Sequence, residues 1–256
     1  MRIFSLLCAL VLLSAGNLPA AKSIEREIAC PICTREFYTT LDVPDAEYEM
    51  RLDMKPLGAL PGPWHIPDCP GCGFIIYALN IPKAELAKCK AFVDSDDFKR
   101  FAKRSSYYRA GLISGMLGSK DFPLAQAYLK ASWQEEADAE KLKEDLELSL
   151  KHFSACAKGC EGDEQENSQL MMTELLRRLG RFDEARAHIA GLRALKGFQG
   201  NLYTDILDFQ VSLCDKKDAF IHNMEEVKVA KMPLAARLKW RAKKWFAGFK
   251  LKMGLK

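Results

Sequence analysis

The chain has 256 residues, 48% hydrophobic and 28% charged, which is long enough to bury one large core or two modest ones. That composition is of a soluble globular protein and excludes a low-complexity chain. The formal net charge of +4 is unevenly placed: from Lys228 to the end there are ten Lys or Arg and no Asp or Glu. The rest of the chain is therefore net acidic, and basic character belongs to the C-terminal segment alone.

Residues 1–20 read as a secretory signal peptide. Arg2 supplies a positive start, Ile3 to Leu13 an apolar run broken only by Ser5, and Leu18-Pro19-Ala20 a small-residue cleavage site. The run is shorter than the roughly 20 residues that span a bilayer. Cys8 lacks the small residue before it that a lipoprotein anchor uses. The expectation is an exported protein, periplasmic or secreted, with eight cysteines after cleavage.

Residues 24–80 form a proline-rich, loop-rich segment that needs a staple. The staple is visible as two short cysteine pairs, Cys30-Pro31-Ile32-Cys33 and Cys69-Pro70-Gly71-Cys72-Gly73. Each pair turns two soft thiolates toward one point, and backbone N–H groups inside the turn donate to sulfur. Gly73 suits the left-handed conformation that closes such a turn; Thr34 stands where the first pair would want glycine. Cys30, Cys33, Cys69 and Cys72 together fill a tetrahedral shell, which points to a structural zinc ion in a zinc-ribbon-like head. Iron in a rubredoxin-like site uses the same ligands and is the lesser expectation. Redox dithiols are a further alternative, but Phe74-Ile75-Ile76-Tyr77 reads as a strand after the second pair, where a redox pair would start a helix. Local disulfides would close only tiny loops. His65 reads as a loop histidine and Trp64 as packing on the head.

Residues 81–232 follow helical periodicity. Expected helices run over Ala84 to Phe92, from Ser95-Asp96-Asp97 through Phe98, Phe101, Tyr108, Leu112 and Met116, and from Asp121 through Leu124, Tyr128, Leu129 and Trp133. Leu142, Leu146 and Phe153 mark another, ended by Gly159 and the polar run Glu161 to Ser168. Pairs follow at Leu170 to Leu179 with Phe182 to Leu195, and at Asn201 to Leu213 with Asp218 to Val227. Roughly eight helices on short connections predict a mainly α fold, an α-hairpin array. Leu179-Gly180-Arg181-Phe182-Asp183-Glu184-Ala185 has the turn pattern of a tetratricopeptide unit, with a weaker echo at Phe122, Ala125, Leu129 and Ser132; a plain bundle is the alternative. His152, Cys156 and Cys160 share a helix face, read as a local Cys156–Cys160 disulfide or reduced thiols before a second metal site. Cys89 and Cys214 are single thiols or one long-range bridge.

Residues 233–256 form a basic C-terminal helix opened by Pro233. Leu234, Leu238, Ala242, Trp245, Phe249 and Met253 share one face, with Arg237, Lys239, Lys243, Lys244 and Lys250 elsewhere and Trp240 and Leu251 off the apolar face. Arg237, Lys239, Lys243, Lys244, Trp245 and Phe249 are the candidates for contact with a membrane surface or a partner; a terminal cap is the alternative. Nucleic acid is not expected.

The two pairs, with Phe37, Asp53-Met54-Lys55 and the helical tail, resemble an uncharacterised bacterial domain-of-unknown-function family with paired CPxC knuckles. The resemblance implies a zinc-ribbon head joined to tetratricopeptide-like helices, with Cys30, Cys33, Cys69 and Cys72 as ligands and no established activity. No nucleophile–base pair, phosphate loop or open metal position stands out. The expected function is a non-enzymatic, zinc-binding scaffold that binds a protein or peptide through its helical surface. The alternative is an exported thiol–disulfide oxidoreductase or electron carrier using the CPxC pairs.

Overall fold

A computed structural model describes residues 22–43, 49–58, 60–77 and 81–252; the expected signal peptide lies outside these. The described chain is mainly α, with a small β and loop region at its N-terminal side. Strand β1 (Lys22–Ala29) pairs antiparallel with β2 (Glu36–Val43), in register from Lys22 opposite Val43 to Ala29 opposite Glu36. The first cysteine pair forms the turn between them. A second ladder joins β3 (Glu49–Met50) to β4 (Pro56–Leu57) and frames the segment Arg51–Lys55.

Ten α-helices follow among the described residues: α1 (Lys83–Val93), α2 (Asp96–Lys99), α3 (Ser106–Met116), α4 (Asp121–Gln134), α5 (Ala139–Gly159), α6 (Gly162–Arg178), α7 (Phe182–Arg193), α8 (Asn201–Asp215), α9 (Met224–Ala230) and α10 (Leu234–Lys252). From α3 to α9 each helix packs on the next, and α6 also touches α8. The largest core joins Ala125, Leu129 and Trp133 of α4 to Leu146, Leu150 and Phe153 of α5 and Leu175 and Leu176 of α6. Gly180, at φ 73°, makes the turn into α7, and Ala185 is fully buried there, the close approach that its small side chain allows.

Three expected helices differ. The helix opened by Ser95 stops at Lys99, and a new one starts at Ser106. Ser95 caps Phe98 N–H and Ser105 caps Tyr108 N–H, so two caps make two helices where apolar spacing alone suggested one. The polar run Glu161 to Ser168 is the start of α6, not a loop; its charges form a solvent-facing side, while Ser168 is buried and donates to the Glu164 carbonyl at 2.7 Å. The last short helix begins at Met224, set by an Asn223–Glu226 capping box. The stretch before it is irregular because the Asp218 and Phe220 carbonyls accept from Arg177, which is fully buried and paired with Glu174.

The Arg51–Lys55 segment inserts against α4, α6 and α8. Leu52 joins Ile206, Leu213 and Val227 in one apolar cluster, and its N–H donates to the His222 carbonyl at 2.9 Å. Asp53 is almost wholly buried and accepts from four sources: the Arg51 guanidinium, the Lys55 N–H at 3.2 Å, Trp133 Nε1 at 3.2 Å and Arg178 Nη1 at 3.4 Å. Lys55 Nζ reaches the Trp133 carbonyl at 3.3 Å and Glu136 at 3.2 Å, and Arg51 also pairs with Glu136. One carboxylate thus compensates the buried ends of two arginines.

A second buried ionic group ties α3, α4 and α5 together. Arg104 pairs with Glu135, Glu144 and Asp145 and lies 3.6 Å from the Tyr108 ring centroid. Three acids share one guanidinium. Burial, then the nearby Glu135 carboxylate, pushes the Asp145 pKa up to about 8.

Asp53→Ala leaves Arg51 and Arg178 buried without their shared acceptor, and should lower stability by about 3–5 kcal/mol in urea titration. The folded pKa of Asp145 lies above its unfolded value, so the native state holds the proton to higher pH. Its stabilising contribution is then present at low pH and fades between about pH 4 and about pH 8. Urea midpoints of the wild type should fall across that window, and Asp145→Asn should flatten the slope.

Candidate metal centre

Two turns of the same construction hold the four cysteines. In the first, Thr34 N–H donates to the Cys30 carbonyl at 2.9 Å, Ile32 N–H to Cys30 Sγ at 3.4 Å, and Cys30 N–H to the Arg35 carbonyl at 2.9 Å. In the second, Gly73 N–H donates to the Cys69 carbonyl at 2.8 Å, Gly71 N–H to Cys69 Sγ at 3.3 Å, and Cys69 N–H to the Phe74 carbonyl at 2.9 Å. The N–H···S contacts fix the Cys30 and Cys69 sulfurs in their turns.

The four sulfurs lie within 4.8 Å of one another. The close contacts cross between the turns: Cys30 Sγ to Cys72 Sγ at 3.7 Å and Cys33 Sγ to Cys69 Sγ at 3.5 Å. A tetrahedron with metal–sulfur bonds of about 2.3 Å has sulfur–sulfur edges of about 3.8 Å. The cluster therefore has the ligand number and spacing to hold one metal ion.

The four thiols are not equivalent. Cys30 and Cys69 are 1% and 2% exposed, Cys72 is half-buried and Cys33 faces solvent. Burial pushes the Cys30 and Cys72 thiols up, whereas the backbone N–H of Arg35 brings Cys33 down to about 7. The buried pair faces the core shared with the first helices, and the solvent side is where an ion would enter.

Phe74 to Tyr77 is not a strand. Ile75 makes one isolated bridge to Asp68, and Ile76 N–H donates to the Pro67 carbonyl at 2.8 Å. Phe74, Ile75 and Ile76 are all buried, packed in one cluster with Cys89 and Val93 of α1 and Ala110 and Ile113 of α3. The backbone of this run bonds back to the Pro67–Cys69 turn, and its side chains fill the core shared with the helices.

Arg109 on α3 is a supporting residue that no sequence signal marks. Its Nη1 donates to the Gly73 carbonyl at 3.1 Å and its Nη2 to Asp68 at 2.8 Å, fixing the second turn to the helical body. His65 is exposed, with Nε2 3.2 Å from Thr39 Oγ1, and stands outside the sulfur cluster.

Elsewhere, Cys156 and Cys160 are joined by a disulfide at the end of α5. His152 is not part of that group; it pairs with Asp121 at 2.8 Å and stacks on Tyr128. Cys89 and Cys214 are separate free thiols, one in the head cluster and the other in the α4–α6 core, so no long-range bridge joins them. Of the C-terminal candidates, Lys239, Lys243 and Trp245 are exposed and Arg237 lines a cavity with Asp205 and Asp208. The Lys244 and Phe249 side chains lie outside the described ones. No family model, curated protein or solved structure matches this chain.

Thr34 occupies the position of Gly73, at φ 60° against 73°, and its hydroxyl donates to the Cys33 carbonyl at 2.7 Å. A β-branched residue in this region costs about 1–2 kcal/mol. Thr34→Gly should therefore raise the thermal midpoint of the metal-loaded protein, by roughly 1 kcal/mol of stability; a drop would mean that the hydroxyl contact outweighs the backbone strain.

Proposed function

We propose that this chain is a non-enzymatic, exported scaffold whose head is stapled by a structural zinc ion and whose helical surface binds a protein or peptide. The convergence of four thiols from two turns of like construction carries the reading. All four positions of a tetrahedral ion are met by sulfur, which leaves none for substrate or water and favours a structural over a catalytic role. Sulfur-only ligation suits zinc and also iron, and zinc is the assignment proposed here.

The helical body supports the interaction role through one feature. A cavity of about 330 Å3 opens between α4, α5 and α6, lined by Met54, Phe122, Leu129, Trp133 and Met171 with Lys130 beside them. Lys130 is largely desolvated, which lowers its pKa, and its ammonium lies 5.5 Å from the Tyr107 ring centroid. Apolar walls with one cation suit an apolar side chain next to a carboxylate, as at the end of a peptide.

Metal analysis of the purified protein tests the staple. One zinc per chain is expected, with Cys30, Cys33, Cys69 and Cys72 protected from alkylation until a chelator is added. Cys69→Ser should abolish tight metal binding and expose the remaining thiols. Metal-free protein with a reversible dithiol would replace this reading with the oxidoreductase, and iron-type visible absorption would replace it with the electron carrier.

A further inference from the structure

Among the described side chains, helix α10 meets the body through Arg237 and Trp240. Trp240 Nε1 donates to Glu225 Oε1 at 3.1 Å, and Arg237 and Trp240 line the cavity that holds Asp205, Asp208 and Phe209. Lys231, just before the helix, pairs with Asp205 and Asp208 at 3.0 and 2.9 Å. The acidic surface of α8 and α9 is thus already matched to the docked side. On the other side Leu234, Leu238, Trp245 and Phe246 are 65%, 57%, 63% and 59% exposed. Their spacing places them within one sector of a helix, opposite Trp240.

An exposed row of two leucines and two large aromatics is more than single scattered apolar residues. Exposed Lys239 and Lys243 flank it. The segment from Lys228 onward carries ten cations and no acid of its own, and Lys231 is the one already matched above to Asp205 and Asp208. The helix has 19 residues, about 28 Å of length at 1.5 Å per residue, yet no helix of the described residues is long and apolar enough to cross a membrane. An apolar aromatic side flanked by lysines, on a helix of low mean hydropathy, is the design of a segment that lies in a lipid interface.

We infer that α10 docks this protein onto an anionic bilayer surface, with Leu234, Leu238, Trp245 and Phe246 entering the headgroup boundary and the flanking lysines meeting lipid phosphates. Charge complementarity selects this occupant over a second copy of the chain, because two such helices face to face would bring like charges together. The inference is independent of the metal assignment, since neither α10 nor its contacts include a cysteine of the cluster.

Co-sedimentation of the purified protein with lipid vesicles tests it. Binding is expected to vesicles that mix phosphatidylglycerol with phosphatidylcholine, and to weaken as salt is raised. Phosphatidylcholine alone should bind far less. The charge-reversed Lys239→Glu/Lys243→Glu protein should bind the anionic vesicles at least about tenfold more weakly, since each lysine near such a surface contributes about 1 kcal/mol. The Trp245→Ser/Phe246→Ser protein should lose binding while keeping its circular dichroism, so that the loss is read on folded protein. Equal binding to both vesicle types, no binding to either, or a concentration-dependent dimer that Trp245→Ser/Phe246→Ser dissolves would each overturn the inference.

Discussion

Thiolates repel, so four sulfurs within 4.8 Å can be held only if protons or a cation offset their charge. The rest of the head is organised around that requirement. Its strands are a two-stranded hairpin and a two-residue ladder, too little to bury a core. Cys30, Cys69, Phe74 and Ile75 instead pack with residues of α1, α2 and α3, so the head shares its interior with the body. Arg109 extends the connection by holding the Gly73 carbonyl from α3. A dication at the cluster would offset half of the charge of four thiolates and close the chain between the two turns, which is how a small segment without its own core becomes ordered.

The Arg51–Lys55 segment is the second tie between head and body. It lies within the loop-rich stretch between the turns and places Asp53 against Trp133 of α4 and Arg178 of α6. Buried ion pairs of this kind add little net stability over apolar packing. They do fix register, because a shifted loop would strand three cations in a dry place. Leu52, lodged beside Ile206 and Leu213, supplies the apolar part of the same contact.

Much of this was legible in the chain itself. The Cys-x-x-Cys spacing and the flanking prolines point to the sulfur cluster, because a turn is a local object. Most helices are likewise written locally, in apolar periods and in a cap such as Ser95. What escaped was non-local. Strand β1 carries four charges among its eight residues and shows weak alternation until β2 is laid beside it. The polar start of α6 resembles a loop because its solvent side dominates the composition. The partners of Asp53 lie 80 residues away at Trp133 and 125 away at Arg178, beyond any sequence period.

The 35 residues between Cys33 and Cys69 carry the inserted segment. Anchoring both ends of that stretch at one cluster makes insertion an intramolecular event. The segment then meets the α4–α6–α8 face at an effective concentration on the order of millimolar or more. A free ligand directed at the same surface competes against that tethered occupant and must exceed it in intrinsic affinity. A ligand for the body would therefore have to use the space that Met54 leaves open at its margin, or a surface that the tether does not reach.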